Sequence, residues 1–164
     1  MLAAIWLGLR LLILLGAANV APILAKRWLG EFGNVPIDAG LRLWDGRPLL
    51  GPSKTWRGLA AAIVAATICA PVLGLPAAAG ALIGATAMAG DALSSFVKRR
   101  LGVPSSGRAI GLDQIPESLL PLLAVQEMLQ LPALVVLGVT IAFFVAEIPA
   151  ARWSFRFGWR DRPY

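Results

Sequence analysis

Apolar positions fall into long runs, separated by three segments rich in basic residues, glycine and proline. A helix that crosses a membrane needs about 20 apolar residues, because the hydrocarbon layer is about 30 Å thick and each residue rises about 1.5 Å. The first run, residues 2–25, meets this length and is interrupted only by Arg10 and Asn19. It is too long for the apolar part of a signal peptide and lacks a basic start, so it is expected to be a retained helix. Residues 58–97 are too many for one crossing. Pro71, Gly74 and Pro76 supply a turn, which predicts a helical hairpin over 58–73 and 77–98. A further apolar stretch is broken near Gln130 and Pro132, which predicts spans over 115–130 and 132–148. No internal repeat is visible.

The polar segments set the orientation. Residues 26–57 carry Lys26, Arg27, Arg42, Arg47, Lys54 and Arg57, residues 99–114 continue the basic end of the third span, and the tail 150–164 holds Arg152, Arg156, Arg160 and Arg162. The turns near Gly74 and Gln130 hold no cation. Positively charged loops stay in the cytoplasm. The expectation is one all-α integral membrane domain over 1–164 with about five transmembrane helices, its N-terminus outside and its C-terminus cytoplasmic. Trp28, Trp44, Trp56, Trp153 and Trp159 flank the basic segments as interfacial anchors do.

Composition agrees. The chain is 58% hydrophobic and 15% charged over 164 residues, whereas soluble domains carry about 25% charged residues. The net charge of +6 is accounted for by the cytoplasmic loops and calls for no nucleic acid. Cys69 is the only cysteine and histidine is absent. That removes an intrachain disulfide, the commonest general base and the commonest zinc ligand.

Against this background Asp91 is conspicuous. It ends an uncharged run and precedes two serines and three basic residues in GDALSSFVKRR. A charged aspartate deep in a helix costs about 2.5–3.5 kcal/mol on insertion scales, and such residues generally serve a function. Asp91, Ser94, Ser95 and Lys98 stand at i, i+3, i+4 and i+7, one helix face. Gly90 lets another backbone approach that face. A second acid, Asp113, lies a short loop away in GRAIGLDQIPES. Two carboxylates without histidine form a hard-oxygen site suited to Mg²⁺. Lys98, Arg99, Arg100 and Arg108 beside it suit phosphate.

The segment DGRPLLGPSKTWRG ends like a phosphate loop, but Pro48 and Ser53 stand where that motif needs glycines. It remains a candidate phosphate cradle. Ser53, Lys54, Thr55 and Arg57 open a helix whose free N–H groups and dipole attract anions.

GPSKTWRG, then GDALSSFVKRRLG, then a glycine-containing loop to LDQ resembles the CDP-archaeol synthase family. The likeness runs from Asn19 to Gln114 and includes VPIDAG and DGRPLLG. The carboxylate–serine–Lys–Arg segment is also similar to the signature of bacterial CDP-diacylglycerol synthases. The resemblance implies a five-helix membrane enzyme with a cytoplasmic site. It implies attack of a lipid phosphate (archaetidic-acid-like or phosphatidic acid) on the α-phosphorus of CTP, with loss of pyrophosphate. By position, Asp91 and Asp113 match the acids expected to hold Mg²⁺, and Ser95 and Lys98 match the face of the third helix. Lys54 and Thr55 would contact nucleotide phosphates, and Arg57, Arg99 and Arg100 further phosphate charge. Asn19 and Asp38 match the pattern without an assigned role. A homodimer is compatible with all of this. Two other readings remain: a small transporter or ion-pathway protein using Asp91, Glu127 and Arg10, and a structural subunit whose basic collar binds anionic lipid. Glu147 is unassigned, and Glu127 is a candidate partner for Arg10.

Overall fold

The computed structural model describes residues 2–104, 107 and 109–156. Five helices follow one another: α1 (Leu2–Leu29), α2 (Trp56–Val72), α3 (Ala77–Arg100), α4 (Gln114–Ala124) and α5 (Ala133–Arg156). Strands are confined to two isolated bridges among these residues. In lipid every backbone polar group must be satisfied within the chain, and helices do this locally.

The α2–α3 hairpin forms where proline and glycine place it. Gly74 adopts a left-handed φ of 70°, and the Leu75 amide closes the turn on the Ala70 carbonyl at 2.9 Å. The two helices then pack through small residues. A Cβ on Gly80 would fall 2.3 Å from the Ala66 carbonyl oxygen, and one on Gly84 would fall 2.7 Å from that of Ala62. Such close backbone approach is how helices associate where no hydrophobic drive exists between them. Leu11, Leu14, Leu15 and Ala18 of α1 complete the core with Ala62, Ala66, Ile83 and Ala87. Ile13, Val64, Ile68, Leu134, Leu137 and Ile141 point outward, where hydrocarbon would meet them. Half-buried Cys69 packs against the core.

The helix bounds depart from expectation in three places. First, α1 continues past residue 25 to Leu29, with Lys26 and Arg27 in its last turn, where cations complement the helix dipole. Second, the expected span 115–130 is helical only over Gln114–Ala124, 11 residues. That is about 16 Å, half the hydrocarbon thickness. Pro116 and Pro121 both lie within it, the chain turns after Ala124, and Gln130 takes a positive φ of 49° before Pro132. Third, α5 does not stop at 148 but runs through Arg156 with Pro149 inside it, so the basic tail begins as helix. By length and composition α1 and α3 suffice to cross a membrane, while α2 and Ala133–Glu147 are shorter apolar helices. Trp28, Trp56, Trp153 and Trp44 (88% accessible) are exposed; Trp159 lies outside the described residues.

The polar segment between α1 and α2 is a folded cap. The Ile37 amide donates to the Lys54 carbonyl at 2.8 Å and the Trp56 amide to the Val35 carbonyl at 3.0 Å. A second fold-back joins Leu49 to Leu41 at 2.8 Å. Asp38 holds the cap together: its buried carboxylate accepts from the amides of Gly40 (3.0 Å), Leu50 (2.9 Å) and Gly51 (2.9 Å). Burial pushes this carboxyl up, but the backbone donors outweigh it and hold the pKa below the ordinary 3.8. A folded pKa below the unfolded one gives stability that is complete above the unfolded value and is lost as pH falls through the folded value. Pepsin cleavage within 37–51 is therefore expected to accelerate as pH drops below about 4. Asp38→Asn should cleave quickly throughout that range. A wild-type rate that tracks only pepsin's own pH profile would refute this role.

Candidate active site

The cap, the end of α3, the start of α2 and the start of α4 meet at the basic end of the bundle. Thr55 sits at the N-cap of α2 in extended conformation, its hydroxyl accepting from the Gly58 amide at 3.1 Å. This orients Lys54, whose ammonium pairs with the Asp91 carboxylate of α3. Two turns further along α3, Lys98 Nζ pairs with Asp113 Oδ1 at 2.5 Å and donates to the Gly107 carbonyl at 3.2 Å. Asp113 Oδ2 accepts from the Ala109 amide at 3.0 Å. Ser94 Oγ donates to the Leu112 carbonyl at 2.6 Å, fastening that loop to α3. Ser95 is buried on the same face.

Sequence reasoning missed Glu117. It is buried on α4, and its carboxyl group is in hydrogen-bond contact with that of Asp91. Gly90 makes this approach feasible, because the Pro116 carbonyl oxygen and the Glu117 amide lie where a side chain would start. Glu147 of α5 adds its charge to the same neighbourhood. In sequence, Glu117 reads as an acid in a first helical turn, a favourable place for one. A signal was available: Glu117 follows Asp113 by four residues at the start of an apolar helix.

The arginines expected on phosphate are engaged in holding the framework. Arg57 Nη1 donates to the carbonyls of Gly30 (2.6 Å) and Phe32 (2.9 Å). Arg99 donates to the Pro104 carbonyl at 2.8 Å and is buried. Arg100 reaches Asp45 Oδ1 at 2.8 Å and the Pro48 carbonyl at 2.6 Å, tying the cap to α3. Ser53 is exposed beside Lys54. Arg108 lies outside the described residues. Asn19 Nδ2 donates to the Leu15 carbonyl at 3.2 Å within α1. Arg10 is remote. Its guanidinium stacks over Trp6 at 5.1 Å and lies near Gly74, a turn about 20 Å from Asp91 along α3.

Chemically, the site offers buried hard oxygens, two ammonium groups and a helix N-terminus. Buried Glu117 and half-buried Asp91, in contact, repel unless a proton or a cation lies between them. Carboxylate oxygens without soft ligands therefore fit Mg²⁺.

The family model of the CDP-archaeol synthases (CarS-like) matches residues 4–78 and 76–164 of this chain. A CDP-archaeol synthase of Hyperthermus butylicus is 44% identical over 108 residues, 60% of each chain. One from Pyrococcus horikoshii is 30% identical over 158 residues, covering 90% of this chain and 89% of the relative. One from Thermococcus kodakarensis is 32% identical over 164 residues with the same coverage. The match thus spans about three fifths of the first relative's length and about nine tenths of the other two. A solved structure of an intramembrane enzyme for archaeal membrane lipids biosynthesis superposes with a TM-score of 0.73 at 31% identity, covering 86% of this chain and 90% of that one.

Proposed function

Because the chain belongs to the CDP-archaeol synthase family, we propose that it is a membrane cytidylyltransferase that joins CMP from CTP to a lipid phosphate. The carrying observation is the convergence of two lysine–carboxylate pairs, Lys54–Asp91 and Lys98–Asp113, at the Thr55-capped start of α2. A phosphate oxygen of the lipid attacks the α-phosphorus of CTP. The bond from that phosphorus to the β-phosphate bridging oxygen breaks, and pyrophosphate leaves with the electron pair. Lys54 exchanges its carboxylate partner for phosphate oxygens as the triphosphate enters, Lys98 donates a further N–H to them while still paired with Asp113, and the α2 N-terminus supplies further positive potential. The lipid phosphate is already ionised near neutral pH, so no general base is needed. Positioning and electrostatics carry the rate. Asp91 would hold Mg²⁺, with Asp113 as the second acid implied by the family resemblance. When bound, that ion would offset the triphosphate charge and stabilise the departing pyrophosphate.

The lipid is read as archaetidic-acid-like, since the relatives are CDP-archaeol synthases; phosphatidic acid is the competing substrate. The chain is placed in the cell membrane as a multi-pass protein with its site facing the cytoplasm, where its basic loops belong. The test is transfer of label from α-³²P-CTP into lipid by purified protein reconstituted with Mg²⁺ and offered ether-isoprenoid or diacyl lipid phosphates. Label in one lipid class establishes the reaction and names the substrate. Folded protein that labels neither class and binds no CTP would end this reading.

A further inference from the structure

The family resemblance puts Asp113 beside Asp91 at the Mg²⁺ site, but Glu117 is a second candidate for that place. Asp113 has both carboxylate oxygens engaged, Oδ1 by Lys98 at 2.5 Å and Oδ2 by the Ala109 amide at 3.0 Å. Glu117 has a different setting. The α3–α4 contact at Gly90 brings its backbone amide to 2.9 Å from where a Cβ would stand. That seats Glu117 next to Asp91, and it is buried there with Asp91 as its contact. Lys54 is the cation paired with Asp91, and Lys98 acts on Asp91 from further along α3. A lysine shared with a nucleotide leaves this pair of acids when substrate arrives. The two carboxyls then need another positive charge, and their oxygens suit a small hard divalent cation.

We infer that Glu117 is a ligand of the divalent cation together with Asp91, and that Asp113 serves mainly to hold Lys98. This rests on the cytidylyltransferase reading for the cation's presence, but on the α3–α4 contact for the choice of acid. Glu117 would lend one oxygen directly or through a bound water. Asp113 would keep Lys98 oriented towards the phosphates.

The test is Mn²⁺ binding, read from the loss of the free-ion EPR signal on titrating purified full-length protein in detergent, with and without CTP. Mg²⁺ competition identifies the physiological site. Wild type, Asp91→Asn, Asp113→Asn, Glu117→Gln and Glu117→Asp are compared after thermal melts confirm folding. Glu117→Gln is expected to weaken Mn²⁺ at least tenfold and more than Asp113→Asn does. Glu117→Asp, which keeps the carboxylate, should recover part of the loss. If Glu117→Gln fails to fold, the Glu117→Asp and Asp113→Asn affinities decide in the same way: the larger loss belongs to Glu117→Asp. Glu117 variants within twofold of wild type would overturn the assignment while lipid labelling from CTP still stands. Wild type that binds no Mn²⁺ would overturn it too, and the enzyme reading falls with it only if labelling is also absent.

Discussion

Asp91→Asn is expected to reduce transfer of label from CTP to lipid by at least about a thousandfold, the upper end of what removing one preorganised electrostatic group costs. The substitution is nearly isosteric, so it tests charge. It removes the carboxylate that faces both Lys54 and Glu117. It also leaves the Lys54 ammonium, whose side chain is only 17% accessible, without its counter-charge. Breaking one side of a largely shielded ion pair is destabilising, because the remaining charge is left uncompensated. Lower activity alone would therefore not separate chemistry from folding, and the Lys54→Met/Asp91→Asn double variant does. Removing both charges should restore the melting temperature towards wild type, because no unpaired charge remains buried. Activity should stay as low as in Asp91→Asn, because groups that act as a unit are not additive. Label transfer by Asp91→Asn above a tenth of the wild-type rate would contradict its place in the site. Recovery of activity in the double variant would reassign the pair to structure.

This pair also marks what the sequence makes legible. Asp91, Ser95 and Lys98 could be placed on one face because helical spacing is a local property, and α3 keeps that face. Lys54 was legible because it opens a helix whose free N–H groups and dipole attract anions; that Thr55 is the N-cap is seen only in the structure. The α2–α3 hairpin followed from Pro71, Gly74 and Pro76, which restrict the backbone wherever they occur. The framework contacts of Arg57, Arg99 and Arg100 were not legible. A basic residue beside a candidate site offers the same charge to a phosphate and to a backbone carbonyl. Which one it meets depends on distant chain: Arg100 reaches Asp45 and Pro48 across the whole of α2 and α3. Glu117 was hidden for a related reason. Its burial arises from the fit of α4 against Gly90, and periodicity within α4 carries no record of that contact.

Gly90→Ala is expected to lower turnover about a hundredfold, although Gly90 touches no substrate. A Cβ there would stand 2.3 Å from the Pro116 carbonyl oxygen and 2.5 Å from its carbon. Both atoms are backbone, so no side chain can rotate aside and α4 itself must retreat by about 1 Å to reach ordinary contact. Misplacement of that size near reacting groups costs on the order of a hundredfold, and here it separates Glu117 from Asp91. The thermal midpoint should fall as well, since α3 and α4 share this seam. The control is Gly138→Ala in α5, where a Cβ meets nothing within 4 Å. Alanine is the better helix former by roughly 0.5–1 kcal/mol, so that variant should be as active as wild type and as stable or more so. The contrast separates contact from propensity: both substitutions favour helix, and only one has a carbonyl in the way. Full activity in Gly90→Ala would show that α4 does not dock on α3 at Gly90, and the placement of Glu117 beside Asp91 would fall with it.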